Sequence, residues 1–162
     1  MIGFVRSLFA ARAPALSDAS ARDAAAIAPL HAASFHRGWS EQEVEGLLLD
    51  RLVVAHRALA GRALIGFIMS RQVEDEAEIL SVAVDPARRG RGLAGDLLTL
   101  HLRRLAGLGA RTVFLEVDEN NKPAIRLYDR AGFAQISKRP NYYATPGAKP
   151  AAALVLRRDL MG

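Results

Sequence analysis

The sequence predicts an α/β domain in which a mixed β-sheet carries helices on its faces. Two features point there. Apolar runs of strand length, ILSVAV (79–84) and TVFLEVD (112–118) among them, alternate with segments whose leucines recur at helical spacing. A glycine-rich stretch, VDPARRGRGLAGDLL (84–98), stands where one such strand hands over to one such helix. The chain has 162 residues, 51% of them hydrophobic, which suffices for one well-buried core and is short for two. One domain is therefore expected over residues 15–162, preceded by an appendage of residues 1–14.

The elements follow in order. Residues 18–35, DASARDAAAIAPLHAASF, open with the capping candidates Asp18 and Ser20 and run alanine-rich and amphipathic, which predicts a helix. Ser40-Glu41-Gln42-Glu43 repeats the cap signal ahead of Val44, Leu47 and Leu48, a second short helix behind Trp39. LVVAHRAL (52–59) and ALIGFIMSRQV (63–73), joined at Ala60-Gly61, read as a hairpin, and the acidic turn Glu74-Asp75-Glu76 leads to a strand over 77–85. Leu93, Leu97, Leu98, Leu102 and Leu105 predict a helix that ends near Gly107 and Gly109. A buried strand, 112–118, follows. Asn120-Asn121-Lys122-Pro123 caps a helix with the stripe Ala124, Ile125, Tyr128 and Ala131, and Gly132 occupies its left-handed C-terminal position. FAQISKR (133–139) and AALVLRRDL (152–160) are the last strands, separated by Asn141-Tyr142-Tyr143 and a turn at Pro146-Gly147. The expected order is ααβββαβαββ.

Composition narrows the chemistry. No cysteine occurs, which excludes disulfides, thiol nucleophiles and cysteine metal sites. The four histidines (His31, His36, His56, His101) are scattered without metal-ligand spacing, so no metal is expected. His101 falls on the leucine face of its helix and reads as a half-buried packing residue. The formal charge is +5, with arginine supplying nearly all the cations and lysine only at Lys122, Lys138 and Lys149. Such a surface favours anionic partners without requiring direct contact with nucleic acid. Arg6 and Arg12 interrupt the apolar N-terminus, so it is expected to be neither a signal peptide nor a membrane span of ~20 residues. A cytoplasmic protein, monomeric or weakly dimeric, is expected.

The glycine-rich loop lies between a strand's carboxyl end and a helix N-terminus, where free amides and the helix dipole bind anions, phosphates above all. Gly90 and Gly92 permit close backbone approach, and Arg88, Arg89 and Arg91 add positive charge. A P-loop would need a Gly-Lys-Ser/Thr ending, which Leu93-Ala94 does not supply. Gly90, Gly92 and Gly95 satisfy the dinucleotide-binding spacing, but that motif opens a parallel βαβ unit, and here three antiparallel-type strands come first. The pattern that fits is Arg89-x-x-Gly92-x-Ala94 after Val-x-Val-Asp-Pro.

With that loop, the segments GFIMSR (66–71), SVAVDP (81–86), FLEVDENN (114–121), AIRLYDRAGF (124–133) and RPNYY (139–143) give the chain a resemblance to the GNAT superfamily of acetyl-coenzyme A-dependent N-acyltransferases. It looks most similar to the RimI branch, whose members acetylate the N-terminal alanine of a small-subunit ribosomal protein. The resemblance covers residues 15 to 160 and implies the GNAT fold, a mixed central sheet of six to seven strands with helices on both faces. It implies acetyl-CoA as cosubstrate and a protein N-terminus as partner.

The resemblance also implies roles. The pyrophosphate of the cosubstrate would lie on the loop amides of Arg89, Gly90, Arg91, Gly92, Leu93, Ala94 and Gly95. Its pantetheine arm would pair with the backbone of Val82, Ala83 and Val84, and the Val82 amide would donate to the thioester oxygen. Glu116 is the candidate general base. It interrupts an apolar strand near its carboxyl end, where a carboxylate is solvated, paired or functional. Tyr128 would protonate the departing thiolate, and Asn121 would be both helix cap and cosubstrate contact. Trp39, Tyr142 and Tyr143 would line the acceptor groove, although each also reads as a packing residue. Glu41, Glu43 and Glu45 read as a solvated helix face. An acyltransferase acting on lysine side chains or small amines, and a non-catalytic acetyl-CoA-binding module, are the alternatives.

Overall fold

The computed structural model describes residues 12–143 and 146–160. The appendage expected over residues 1–14 falls mostly outside them. Seven strands form one sheet in the order β1-β2-β3-β4-β5-β7-β6. They are β1 (Ala15–Asp18), β2 (Val53–Ala60), β3 (Ala63–Val73), β4 (Glu76–Val84), β5 (Thr112–Asp118), β6 (Ala134–Tyr143) and β7 (Ala151–Asp159). The helices are α1 (Ala24–Ser34), α2 (Glu41–Leu49), α3 (Leu93–Gly107) and α4 (Lys122–Arg130). No helix among the described residues is long and apolar enough to cross a membrane.

Helices cover both faces of the sheet, as the resemblance implies. One apolar cluster lies under α3 and α4, built on Leu97, Leu98, Leu105, Val113 and Leu115. The other lies under α1 and α2, around Ile27, Val44, Phe67 and Met69. Gly66 fits where α3 crosses β3: a Cβ there would sit 3.2 Å from Leu97 Cδ1 and 3.3 Å from the Ala83 carbonyl. A glycine is what lets helix and strand approach so closely.

The first segment departs from the expected helix over 18–35. Residues 15–18 are a short edge strand, antiparallel to β2 with Asp18 opposite His56. Ser20 and Asp23 form a capping box on a single 3₁₀ turn, and α1 begins only at Ala24. Asp18 is thus no helix cap. Four residues flanked by an alanine-rich helix carry no alternation of their own, so pairing with β2 decides their conformation. The end of the sheet differs too: β6 runs on through Tyr143, with a register shift between Arg139 and Tyr143 and Asn141 at φ +55°.

His101 is not half-buried but wholly so, with 0% of its surface exposed. Its Nδ1 lies 2.7 Å from His56 Nδ1 and its Nε2 lies 2.6 Å from Ser70 Oγ. Asp18 Oδ1 approaches His56 Nε2 at 3.3 Å. One proton arrangement satisfies every group: His56 Nε2–H donates to Asp18, His101 Nδ1–H to His56, and the Ser70 hydroxyl to His101. This chain ties α3 at mid-length to β1, β2 and β3. Burial pushes the His101 pKa down to about 3, with the neighbouring His56 adding to the effect. Burial lowers His56 likewise, and it lowers His31 to about 4, with Arg37 contributing.

His101 and His31 are therefore neutral in the folded protein where the unfolded chain, with histidine pKa near 6.5, takes up protons, and His56 is shifted in the same direction. Below that pH the unfolded state binds more protons, so stability falls as pH falls. For His101 alone the slope is about 1.4 kcal/mol per pH unit, from pH ~6.5 down towards its depressed value. Thermal unfolding at pH 7.5, 6 and 5 should show a melting temperature that drops at each step below 6.5. A melting temperature flat across that window would contradict the buried neutral chain.

Candidate functional site

The site begins where β4 ends. Asp85 Oδ1 accepts from the Ala87 amide at 3.0 Å and caps the tight turn Pro86–Arg88. Gly90 and Gly92 follow at φ +77° and +79°, and α3 starts at Leu93. Two left-handed residues so close together turn successive amides towards one side. Among the described residues the amides of Gly90 through Gly95 have no protein acceptor. A Cβ at Gly90 or Gly92 would meet nothing within 4 Å, so the space before these amides is open. Arg91 is exposed beside it and Arg88 is half-buried.

Arg89 behaves differently from its neighbours. Its amide donates to Pro86 O at 3.4 Å, its Nε to Val84 O at 3.2 Å and its Nη2 to Ser34 Oγ at 3.4 Å. The side chain thus points back to the end of β4 and across to α1, tying the loop to both.

β4 and β5 are the sheet's parallel pair, joined through α3, and their pairing is brief. The register runs from Glu76 opposite Thr112 to Ile79 opposite Leu115, then stops. On its other edge β4 stays paired with β3, with Val82, Ala83 and Val84 opposite Ile68, Phe67 and Gly66. Leu80 is skipped in that register, a bulge at the point of parting. Beyond it, one edge of Val82–Val84 faces a gap whose far wall is the end of β5.

Glu116 and Asp118 alternate with Val113, Leu115 and Val117, which point into the α3/α4 core, so the two carboxylates lie on the opposite face. Glu116 Oε1 accepts from Arg139 Nη1 at 2.7 Å, and this hydrogen bond holds the guanidinium's proton more firmly still. The Arg139 guanidinium also lies 4.1 Å from the Tyr142 ring centroid, and Tyr142 meets Tyr143 edge-on at 5.1 Å. Burial raises the Tyr143 phenol, helped by Glu116 and Asp118.

Asn121 caps α4 by accepting from the Ala124 amide at 3.3 Å. One turn further, Tyr128 is 7% exposed and meets Phe133 edge-on at 5.7 Å. Burial pushes its phenol up to about 12. Among the described residues its hydroxyl has no hydrogen-bond partner. Trp39 stacks on His31 with ring centroids 3.9 Å apart, and its amide donates to His31 Nδ1 at 3.1 Å. Phe35 covers the other side of that imidazole at 4.4 Å.

The structure therefore gathers Glu116, Tyr142 and Tyr143 on one lip. The loop amides follow directly from the end of β4, and α4, with Asn121 and Tyr128, follows from the end of β5. Trp39 belongs to the α1/α2 cluster and contacts none of the Glu116 group among the described residues. Sequence reasoning missed Arg139 as the partner of Glu116 and His31 as the partner of Trp39. Arg139 stood in the RPNYY motif, but register across an intervening strand cannot be read from spacing.

This arrangement, a parted parallel strand pair over an unpartnered amide loop, defines an α/β protein built to hold an extended anionic ligand. The chain matches the Acetyltransferase (GNAT) family over residues 21–133 and belongs to it. It is 39% identical over 93 residues to a ribosomal protein bS18-alanine N-acetyltransferase of Haemophilus ducreyi, covering 57% of this chain and 64% of that protein. It is 46% identical over 87 residues to a mycothiol acetyltransferase of Mycobacteroides abscessus, covering 51% of this chain and 29% of the relative. The match thus spans less than two thirds of either relative's length. The crystal structure of the Escherichia coli ribosomal-protein-S18-alanine N-acetyltransferase superposes with a TM-score of 0.84 at 26% identity, over 91% of this chain and 94% of that one.

The glycines make a local test. At φ +79° an alanine in place of Gly92 adopts a left-handed conformation costing about 1–2 kcal/mol. At Gly95, inside α3, a Cβ meets only Leu127 Cδ1 at 3.9 Å, ordinary contact, and alanine favours the helix by about 0.5–1 kcal/mol. Urea denaturation should therefore rank Gly95→Ala at or above the wild type and Gly92→Ala below it. The reverse order would mean the loop is not held as described.

Proposed function

We propose that this acetyltransferase moves the acetyl group of acetyl-CoA to the N-terminal α-amine of a protein, an N-terminal alanine of a small-subunit ribosomal protein being the acceptor. The observation that carries the reading is the parting of β4 from β5 on the strand that leads into the loop of Gly90–Gly95, whose amides have no acceptor among the described residues. Acetyl-CoA supplies the activated acetyl thioester. Its pyrophosphate fits the loop because six consecutive amides there lack an acceptor among the described residues, which also leave the space before Gly90 and Gly92 open. The free edge of Val82–Val84 offers backbone groups to an amide-bearing arm, with the Val82 amide as donor to the carbonyl that gains charge.

The acceptor side follows from the carboxylate lip. Glu116 takes the proton of the attacking amine, and Tyr142 and Tyr143 wall the groove that brings the amine there; Trp39 bounds the same groove from the connection between α1 and α2. An α-amine with pKa about 7.7–8.0 is partly neutral at pH 7, so the demand on the base is modest. Tyr128 gives its proton to the departing sulfur. A phenol held up to about 12 by burial stays protonated at every pH at which the protein works, as an acid must. Asn121 orients the start of α4 and adds a polar contact for the cosubstrate. The match to a mycothiol acetyltransferase favours a small-molecule acceptor as the second reading.

Steady-state turnover of two peptides tests this. One carries a free N-terminal alanine; the other has a blocked terminus and an internal lysine. Turnover is expected on the first alone. Glu116→Gln and Tyr128→Phe should each lower kcat by about 10²–10⁴-fold. The dependence of kcat/KM on pH should rise through the amine's pKa and stay flat to about pH 10, because Tyr128 does not ionise there. Turnover of the lysine peptide alone, or an alkaline fall between pH 8 and 10 that Tyr128→Phe abolishes, would contradict the reading.

A further inference from the structure

Arg139 has no part in the steps above, yet its side chain is in direct contact with Glu116. The two residues are not on neighbouring strands. β7 lies between β5 and β6, with Glu116 opposite Val155 and Arg139 opposite Ala153. Arg139 therefore reaches diagonally across β7 to bring Nη1 within 2.7 Å of Glu116 Oε1. Asp118, which faces Ala153 directly across from Arg139, is passed over.

The strand it crosses is built low. Ala153 stands directly opposite Arg139 and is 0% exposed, and the diagonal to Glu116 leads from it towards Val155. A methyl side chain at the start of that path leaves room for a long aliphatic stem. On the other face Lys138 pairs with Glu119 at 3.0 Å, and Glu119 also accepts from the Ala152 amide at 3.0 Å. β7 is thus clasped from both sides, and only the Arg139 clasp ends on a proposed reacting group.

We propose that Arg139 is a positioning residue of the acceptor site: it fixes the Glu116 carboxylate with Nη1 and the Tyr142 ring with the face of its guanidinium, so that base and groove wall are held as one unit. The proposal rests on Glu116 being the base. A half-exposed glutamate at a strand end otherwise turns freely about its side-chain bonds, and a charge-assisted hydrogen bond removes that freedom. Because the guanidinium takes Oε1, Oε2 is the oxygen left to receive the amine's proton. Small misplacement of a base is costly: displacements near 1 Å lower rates by about 10²-fold.

A double-mutant cycle reads this out. Arg139→Met keeps an aliphatic stem beside Ala153 and removes the charge. It should lower kcat for the N-terminal alanine peptide by about 10- to 100-fold with the KM for acetyl-CoA unchanged. Arg139→Lys should recover part of the loss. In a Glu116→Gln background Arg139→Met should change kcat by less than about twofold, because its effect on the proton transfer passes through Glu116, whereas its hold on Tyr142 reads out in the KM for the peptide. Equal losses in both backgrounds, or a raised KM for acetyl-CoA with kcat intact, would overturn the positioning role while leaving the acetyl-transfer reading in place. Wild-type turnover confined to the lysine peptide would overturn the N-terminal reading instead, and the cycle scored on that peptide would still decide Arg139. A Glu116→Gln enzyme as fast as the wild type would overturn both.

Discussion

The site depends on one unmade contact, the backbone pairing that β4 and β5 give up beyond Ile79 and Leu115. Parallel neighbours in a sheet normally continue their ladder, and strand edges left without partners must be satisfied by something else. Here the edge is held open from both sides. The bulge at Leu80 bends β4 away at the point of parting. α3 is fixed by Gly66 near its first turns and by the His56–His101–Ser70 chain at mid-length, so its N-terminus stays aimed at the gap. A helix end that presents amides and a strand edge that presents amides and carbonyls then face the same opening. An extended ligand with an anionic middle and an amide-bearing arm is the complement of those two surfaces.

Around that opening, polar groups divide by burial. Tyr128 sits low against Phe133 and is kept in its neutral form, whereas Glu116 sits at the lip and keeps a guanidinium beside it. The proposed acid is thus held in its protonated form by burial, and the proposed base keeps a hydrogen-bonded guanidinium at its carboxylate. Arg89 makes a third connection, from the loop to the last turn of α1, so the donor and acceptor halves of the molecule share a fixed frame.

Most of the sheet was readable because its strands are long, apolar and bounded by turn residues; β3, β4, β5 and β7 fall close to where alternation and apolar runs put them. β1 was not, since four residues beside an alanine-rich run have no periodicity and become a strand only by pairing with β2. The glycine-rich loop announced an anion site through the chemistry of glycine before a helix, although the inward turn of Arg89 depends on Ser34, 55 residues away. His101 shows the same limit. On a leucine stripe it reads as packing, and only the fold brings His56 and Ser70 to its two nitrogens. Glu116 stood out as a charge in an apolar strand, while its partner lies across β7, at a distance set by register and not by sequence.

Hydrogen–deuterium exchange with and without acetyl-CoA tests the central claim most directly. If the parted strands and the loop form the donor site, the ligand should slow exchange at the amides of Gly90–Gly95 and along Val82–Val84, and leave β1 and the C-terminal half of α3 unchanged. Binding that protects some other surface and leaves those two segments as they were would contradict the account.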